Sequence, residues 1–339
     1  MNAREKAQVE KLLEQHGLFF EGEPDRTVLV EDSAGNLIAT ASIQKNVIRM
    51  VAADPEWQEA GLAGVVISKI LQYAREKDIF HLLVFTKPDM AEKFAAMGFA
   101  ELARTEDAVF MESGRPASAD FCRMLEAEKL TPERNPVGAA VMNCNPFTRG
   151  HRYLIEQASS RCGAFYVIVV QEDASEFPFE DRVELVKKGT ADLPNVRVVP
   201  SGDYAVSRST FPTYFLKDKA DSAVAGVQAR LDVTLFTKIF VPALNIEIRF
   251  VGTEPYSRVT EIYNEAMREI LPKHGVTLEI IPRLESGTNA PISASKVREA
   301  LRLGDVVLLE QLLPKVTLDY LASDRGRVAV AKLSEQTPQ

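Results

Sequence analysis

The chain has only three cysteines, one tryptophan and four histidines among its 339 residues. Each scarcity excludes something. Cys122, Cys144 and Cys162 are odd in number and lack the paired spacing of a zinc site, so neither a disulfide scaffold nor a cysteine-bound metal is expected. Long apolar runs are missing: none reaches the ~18 residues that span a bilayer. Met1 to Glu14 is charged rather than signal-like, so a cytoplasmic protein with no membrane partner is expected. A basic excess is missing as well. Residues 1–118 carry 13 basic and 19 acidic residues and the remainder 27 and 29, giving −6 and −2 of a total of −8. Neither part has the charge of a nucleic-acid binder. The composition, 46% hydrophobic and 26% charged, is that of an ordinary globular protein.

The length suggests two domains. Breaks are expected at Ser113–Ser118 and at Thr131–Pro136, with one short helix over Asp120–Leu130 between them. This gives domains 1–118 and 136–339 joined by a linker, 119–135. In the first, a helix (3–16) precedes strands at Thr27–Glu31, Leu37–Ser42 and Asn46–Val51, with a hairpin turn at Asp32–Asn36. A helix over 59–77, a strand at Phe80–Phe85, a helix over 89–97 and a strand from Phe99 to Met111 complete an α+β sheet domain.

In the second, strands at Val137–Asn143, Ala164–Val170, Val196–Val199, Ile246–Val251 and Thr277–Ile281 alternate with helices. The helices are expected at Arg149–Cys162, Arg182–Ala191, Asp221–Phe240 and Arg258–Leu271. Such alternation predicts a parallel sheet with right-handed crossovers. Ligands of such sheets lie beyond the carboxyl ends of the strands.

Two segments at strand ends carry chemistry. Asn143-Cys144-Asn145-Pro146-Phe147-Thr148-Arg149-Gly150-His151 runs from the first strand into a helix. Gly150 would let a ligand approach the backbone, and His151 falls in the first helical turn, where free N–H groups favour phosphate. An incidental surface histidine is the competing reading. The second segment, Ile292-Ser293-Ala294-Ser295-Lys296-Val297-Arg298, follows the last strand. Ser293 is a good N-cap, and Ser293, Ser295 and Arg298 would converge on an anion. Arg182 and Arg208 are weaker candidates for orienting phosphate or a carboxylate, or are surface charges. Cys144 reads as a buried cysteine sooner than a nucleophile. His16, His81 and His274 have no partner pattern. With no metal cluster, Mg²⁺ is expected to arrive on the phosphates of the ligand.

T-x-G-H after the first strand and I-S-x-S-x-V-R after the last resemble the nucleotidylyltransferase superfamily, whose members are Rossmann-like domains that bind ATP. The usual first histidine of H-x-G-H is Thr148, whose role is thereby reduced to a hydroxyl contact with phosphate. Asn143–Thr148, Ser207-Arg208-Ser209-Thr210-Phe211-Pro212 and Val251-Gly252-Thr253-Glu254-Pro255 narrow the resemblance to the citrate lyase ligase family over most of the chain. In the first domain, Gln58-Glu59-Ala60-Gly61-Leu62-Ala63-Gly64 resembles the pyrophosphate loop of GCN5-related acetyltransferases, and Ala95–Phe99 their closing turn. Phe94 stands where many of them carry an acid tyrosine. A helix that merely begins at glycines is the structural alternative for this loop.

The resemblance implies a reaction. Acetate attacks the α-phosphorus of ATP, and the acetyl-adenylate then acetylates the thiol of a coenzyme-A-like arm on the acyl carrier subunit of citrate lyase, releasing AMP and pyrophosphate. His151 and Arg298 would be catalytic. Thr148, Gly150, Gly252, Thr253, Ser293 and Ser295 would bind ATP, and Gln58, Gly61 and Gly64 would hold the pyrophosphate of the arm. The rivals are an adenylyltransferase making a dinucleotide or coenzyme precursor, and a non-catalytic adenylate or acyl-CoA sensor.

Overall fold

The computed structural model describes residues 1–131, 136–172, 175–206, 210–217, 219–253, 258–284 and 292–335, with the backbone alone at 58–60, 258–259 and 334–335. The chain divides into two compact units, Met1–Phe121 with Arg208–Lys238, and Cys122–Ser207 with Ile239–Gln339.

The first unit opens with α1 (Ala3–Glu14), whose N-terminus is closed by a capping box between Asn2 and Glu5. Strands β1 (Arg26–Glu31), β2 (Leu37–Gln44) and β3 (Val47–Ala53) form an antiparallel meander. A 3₁₀ turn (Pro55–Ala60) leads to α2 (Leu62–Glu76), then β4 (His81–Thr86), α3 (Ala91–Ala96), β5 (Ala100–Arg104) and β6 (Val109–Gly114). The sheet runs β1-β2-β3-β4-β6-β5, and its apolar face packs on α2 through Val66, Ile67 and Ile70. Two expectations are corrected here. The helix expected over 59–77 begins at Leu62, because Gly61 adopts the left-handed backbone (φ 66°) and separates it from the 3₁₀ turn. The single strand expected from Phe99 to Met111 is a hairpin: Thr105 N–H bonds Ala108 O at 2.8 Å, with Glu106-Asp107 in the turn.

Strands β3 and β4 are the parallel neighbours, and their register covers two residue pairs, Val47 with Leu83 and Ile48 with Val84. Beyond Ile48, β3 carries a bulge at Met50, a non-glycine residue with φ 53°, and bulges turn a strand out of its ladder. The segment after Arg208 fills the resulting gap. Tyr214 donates its hydroxyl to Phe85 O on β4 (3.1 Å), and the Arg49 guanidinium of β3 lies 5.8 Å from the Tyr214 ring centre. Phe211 stacks edge-on against Phe85, and Thr213 donates through N–H and hydroxyl to Glu21. Sequence order places this segment in the second domain. Its buried side chains Phe211, Tyr214, Phe215 and Leu216 instead join it to the first unit.

Helix α4 (Ser118–Ala127) leads into the second unit, where strands and helices alternate: β7 (Val137–Met142), α5 (Arg149–Ser159), β8 (Ala164–Val169), α6 (Phe179–Gly189), β9 (Val196–Pro200), then, after α7 (Asp221–Leu244), which belongs to the first unit as far as Lys238, β10 (Ile248–Gly252), α8 (Arg258–Ile270) and β11 (Thr277–Ile281). All five strands are parallel, in the order β11-β10-β7-β8-β9. The parallel α/β sheet expected from the alternation is what forms, in keeping with the Rossmann-like domain that the resemblance implied. Strands β7 and β8 are nearly fully buried, which is why they read as continuous apolar runs. At Gly138 an added Cβ would lie 2.6 Å from Cys162 Sγ and 2.8 Å from the Phe250 ring, so Cys162 is a packing residue.

Among the described residues after β11 stand four helices, α9 (Ala294–Leu303), α10 (Val306–Leu312), α11 (Lys315–Ala322) and α12 (Asp324–Glu335). The end of α10 and α11 bind the β7–α5 loop and the start of α5. Arg149 donates to Leu313 O and Glu310 O at the end of α10 (3.0 and 3.1 Å), and Thr317 donates to Phe147 O (2.8 Å). Among the described residues no helix is long and apolar enough to cross a membrane.

Candidate active site

Strand order reverses at β7, with β8 following on one side and β10 on the other. At such a switch point the loops diverge and leave a crevice beyond the carboxyl ends. The loop after β7 is built for that place. Cys144 takes a left-handed backbone (φ 51°), and Thr148 is the extended N-cap of α5. Thr148 Oγ1 accepts from His151 N–H (3.3 Å), and Thr148 N–H donates back to His151 Nδ1 (3.1 Å). This is a capping box with histidine in the place usually taken by Glu or Gln.

The box fixes the chemistry of the ring. Nδ1 is committed as an acceptor, so the neutral ring carries its proton on Nε2. Burial first, and the charge of Arg283 second, push the His151 pKa down to about 4. His151 is therefore a neutral donor at pH 7. Thr148 is 1% exposed and its hydroxyl lies 3.0 Å from Nδ1. The phosphate contact expected of that hydroxyl is replaced by a positioning role, because the group is spent on His151.

Gly150 also has a different role from the one expected. A Cβ there would sit 3.1 Å from Ile292 O and 3.5 Å from Ile292 Cβ. The glycine admits the second segment of the chain, and the two segments meet at this point. Ser293 caps α9, its Oγ accepting from Lys296 N–H at 3.3 Å, while Ser295 is exposed. Arg298 Nη1 donates to Asn145 O (2.7 Å) and its Nε pairs with Glu176 (3.0 Å). Glu176 also accepts from Asn145 Nδ2, and Asn145 Oδ1 accepts from Phe177 N–H at 3.0 Å. Arg298 is thus held against the β7–α5 loop at Asn145, three residues before Thr148.

On the other side of β7, Gly252 ends β10 and Thr253 follows it. Thr253 N–H donates to Ile281 O (2.9 Å) and its Oγ1 accepts from Arg283 N–H (3.1 Å), tying the ends of β10 and β11 together. Glu254-Pro255 lies outside the described residues, as do Ser207, Arg208 and Ser209. In the first unit Gly61 and Gly64 stand at the start of α2, and a Cβ at either would meet nothing within 4 Å. The Gln58 side chain lies outside the description.

Two candidates prove to be architectural. Arg182 is fully buried, with Nε on Phe177 O (3.1 Å), Nη1 on Asn143 O and Val170 O (2.6 and 2.9 Å) and Nη2 on Glu172 O (3.1 Å). It satisfies the carbonyls beyond β7 and β8 and so shapes the loops. Neither the surface charge nor the ligand-orienting role expected of it fits that burial. Cys144 is 1% exposed, and burial pushes its thiol up to about 12, so it is neutral and packed. Glu176 and Arg283 were missed by sequence reasoning. Both lie beyond carboxyl ends of parallel strands, and that position was the signal that could have found them. Among the described residues no group of three His, Cys, Asp or Glu is placed to hold a metal.

The arrangement offers one neutral N–H donor, a helix N-terminus and arginines on two sides. That is the chemistry of an anion site suited to phosphate.

Residues 137–321 match the family model for the citrate lyase ligase C-terminal domain. The chain is 37% identical over 318 residues to a citrate (pro-3S)-lyase ligase of Klebsiella pneumoniae, covering 92% of this chain and 91% of that one. It is 38% identical over 290 residues to the enzyme of the same name from Escherichia coli K12, covering 84% and 81%. A solved structure of Thermotoga maritima TmcAL bound with alpha-thio ATP is 14% identical, with a TM-score of 0.39 and coverage of 57% of each chain.

Proposed function

The chain belongs to the citrate lyase ligase family, and on that premise we propose a route by which it works as an acid–thiol ligase. Acetate attacks the α-phosphorus of ATP, pyrophosphate leaves, and the acetyl-adenylate passes its acetyl group to the thiol of the carrier subunit of citrate lyase. AMP is the second product. Mg²⁺ enters with ATP as part of the substrate. The protein acts in the cytoplasm, where its thiols stay reduced.

The observation that carries this reading is the meeting of the two segments. Ile292 seats against Gly150, and Arg298 bonds to Asn145 O on the loop that holds His151. Negative charge grows on the phosphoryl oxygens as acetate attacks, and preorganised donors stabilise it without reorganisation. His151 Nε2–H donates to a phosphate oxygen, and being neutral at pH 7 it makes no proton transfer there. Arg298 exchanges Glu176 for the β- and γ-phosphates. Ser293 and Ser295 add the N-terminus of α9, and Gly252 and Thr253 line the adenosine side.

In the second half-reaction the start of α2, with Gln58, Gly61 and Gly64, binds the pyrophosphate of a coenzyme-A-like arm. Free N–H groups at an uncapped helix start suit that group; α2 has no side-chain cap. The decisive experiment is isotope exchange between pyrophosphate and ATP. Exchange that appears only with acetate supports the ligase reading. Exchange without acetate, or with a nucleotide or coenzyme precursor in its place, would replace it by a plain adenylyltransferase, and absence of any turnover by a sensor.

A further inference from the structure

The loop after β8 brings a carboxylate to a crevice otherwise suited to anions. Glu176 is clamped on both flanks: Ser175 Oγ donates to Asn143 Oδ1 (3.2 Å), and Phe177 N–H donates to Asn145 Oδ1 (3.0 Å). Phe177 O accepts from Arg182 Nε (3.1 Å), and its ring is fully buried. Between these anchors the Glu176 carboxylate accepts from Asn145 Nδ2 and pairs with Arg298 Nε at 3.0 Å. Its side chain is 18% exposed and that of Arg298 22%, so the pair is open to an incoming ligand.

This pair is not needed to hold α9 in place. Arg298 Nη1 already donates to Asn145 O (2.7 Å), and Ile292 packs against Gly150. As an acceptor for Asn145 and Arg298, a neutral amide oxygen would serve as well. What the carboxylate adds is negative charge, which attracts Arg298 strongly and repels phosphate. The Nε–H that Glu176 holds serves one acceptor at a time. Phosphate therefore takes that donor only when the carboxylate releases it.

We propose that Glu176 is a positioning residue that stands in for phosphate on Arg298. It orients the guanidinium in the empty site, yields it to the β- and γ-phosphates of ATP, and takes it back as pyrophosphate leaves. The proposal rests on the adenylyl-transfer reading, and it gives a physical reason for the release of so highly charged a product. Every ligand that uses Arg298 binds more weakly by the free energy of the Glu176 pair, because the competent state must first be populated. AMP has no β- or γ-phosphate and escapes that cost.

The test uses the full chain and calorimetry with three probes, Mg·ATP, Mg·pyrophosphate and AMP, for wild type, Glu176→Gln and Glu176→Ala. Glu176→Gln keeps an acceptor for Asn145 and removes the charge. It is expected to bind Mg·ATP and Mg·pyrophosphate roughly three- to tenfold more tightly, with AMP unchanged. Inhibition of the forward reaction by pyrophosphate should strengthen by the same factor. A pair that only braced the loop would give the opposite sign, with weaker binding or a lower melting temperature. If Glu176→Gln fails to fold, Glu176→Ala takes its place. Equal or weaker binding of Mg·ATP in a folded variant overturns the proposal and leaves the ATP site standing. So does equal tightening of all three probes, which would be general repulsion and no competition for Arg298. Wild-type protein that binds no Mg·ATP overturns the adenylyl reading itself.

Discussion

Both units separate neighbouring parallel strands, and they fill the separation differently. In the first, β3 and β4 part after two residue pairs, and the gap receives Tyr214, Phe211 and their neighbours from the same chain. In the second, the loops beyond β7, β8, β10 and β11 diverge and line their crevice with Asn145, His151, Glu176, Arg283 and Arg298. A gap closed by apolar rings and by polar groups that the same chain satisfies is a packing solution. One lined by half-buried donors and cations beside a helix N-terminus is suited to binding an anion. The comparison predicts that chemistry will fail when the second site is altered, whereas alterations in the first will touch stability or the thiol substrate.

The largest expected effect is that of His151→Ala. Removing one preorganised donor should lower kcat for acetate-dependent exchange by about two to three orders of magnitude, with a much smaller change in ATP affinity. Unchanged turnover would take His151 out of the reaction and blur the contrast between the units.

Next in size is a pH effect on stability. The His151 pKa is about 4 in the folded chain and roughly 6.5 when unfolded. As pH falls below ~6.5 the unfolded chain takes up a proton that the folded chain refuses until pH ~4. Stability is therefore full above pH 6.5 and falls on acidification, by something on the order of 2–3 kcal/mol by pH 4. Denaturant titrations between pH 7.5 and 4 should show this loss in wild type and not in His151→Gln. The same shift implies no inflection of kcat/KM near pH 6.5 from this residue.

A smaller effect separates the half-reactions. Gly61 has φ 66°, so any side chain there strains the backbone, whereas Gly64 has open space and no such constraint. Gly64→Leu should lower acetylation of the carrier thiol about tenfold by obstructing the backbone approach of the arm. Acetate-dependent exchange should remain at its wild-type rate. Loss of both with an unchanged melting temperature would mean that the two activities share one site.

The smallest is Tyr214→Phe, which removes the bond to Phe85 O. About 1–2 kcal/mol of stability should go, as expected for one buried hydrogen bond with its acceptor left unsatisfied. Exchange kinetics should be unaltered. A drop in kcat with full stability would show that the filled gap serves catalysis after all.

Much of the parallel sheet was legible because its strands are buried on both faces and read as apolar runs punctuated by helices. The two motifs were legible as strings, and His151 and Arg298 do approach one loop. Their details were not. Thr148 reads as a phosphate ligand until the cap geometry commits its hydroxyl to His151. Gly150 reads as room for a nucleotide until Ile292 occupies the approach. Arg182 reads as a helix charge, since nothing local announces that four carbonyls surround it.

Local order along the chain determined most of the strands and helices and the family. Period and turn chemistry act between residues a few positions apart, and a sequence displays such neighbours directly. The tertiary structure alone decided what separated residues do to one another. It joined residues 208–238 to the first unit, set Glu176 against Arg298, and tied Arg283 to Thr253. These are contacts between segments 30 to more than 190 positions apart, as between Thr213 and Glu21 at 192 or Arg283 and Thr253 at 30. They depend on strand order and on which surfaces burial brings together, and no local periodicity encodes either.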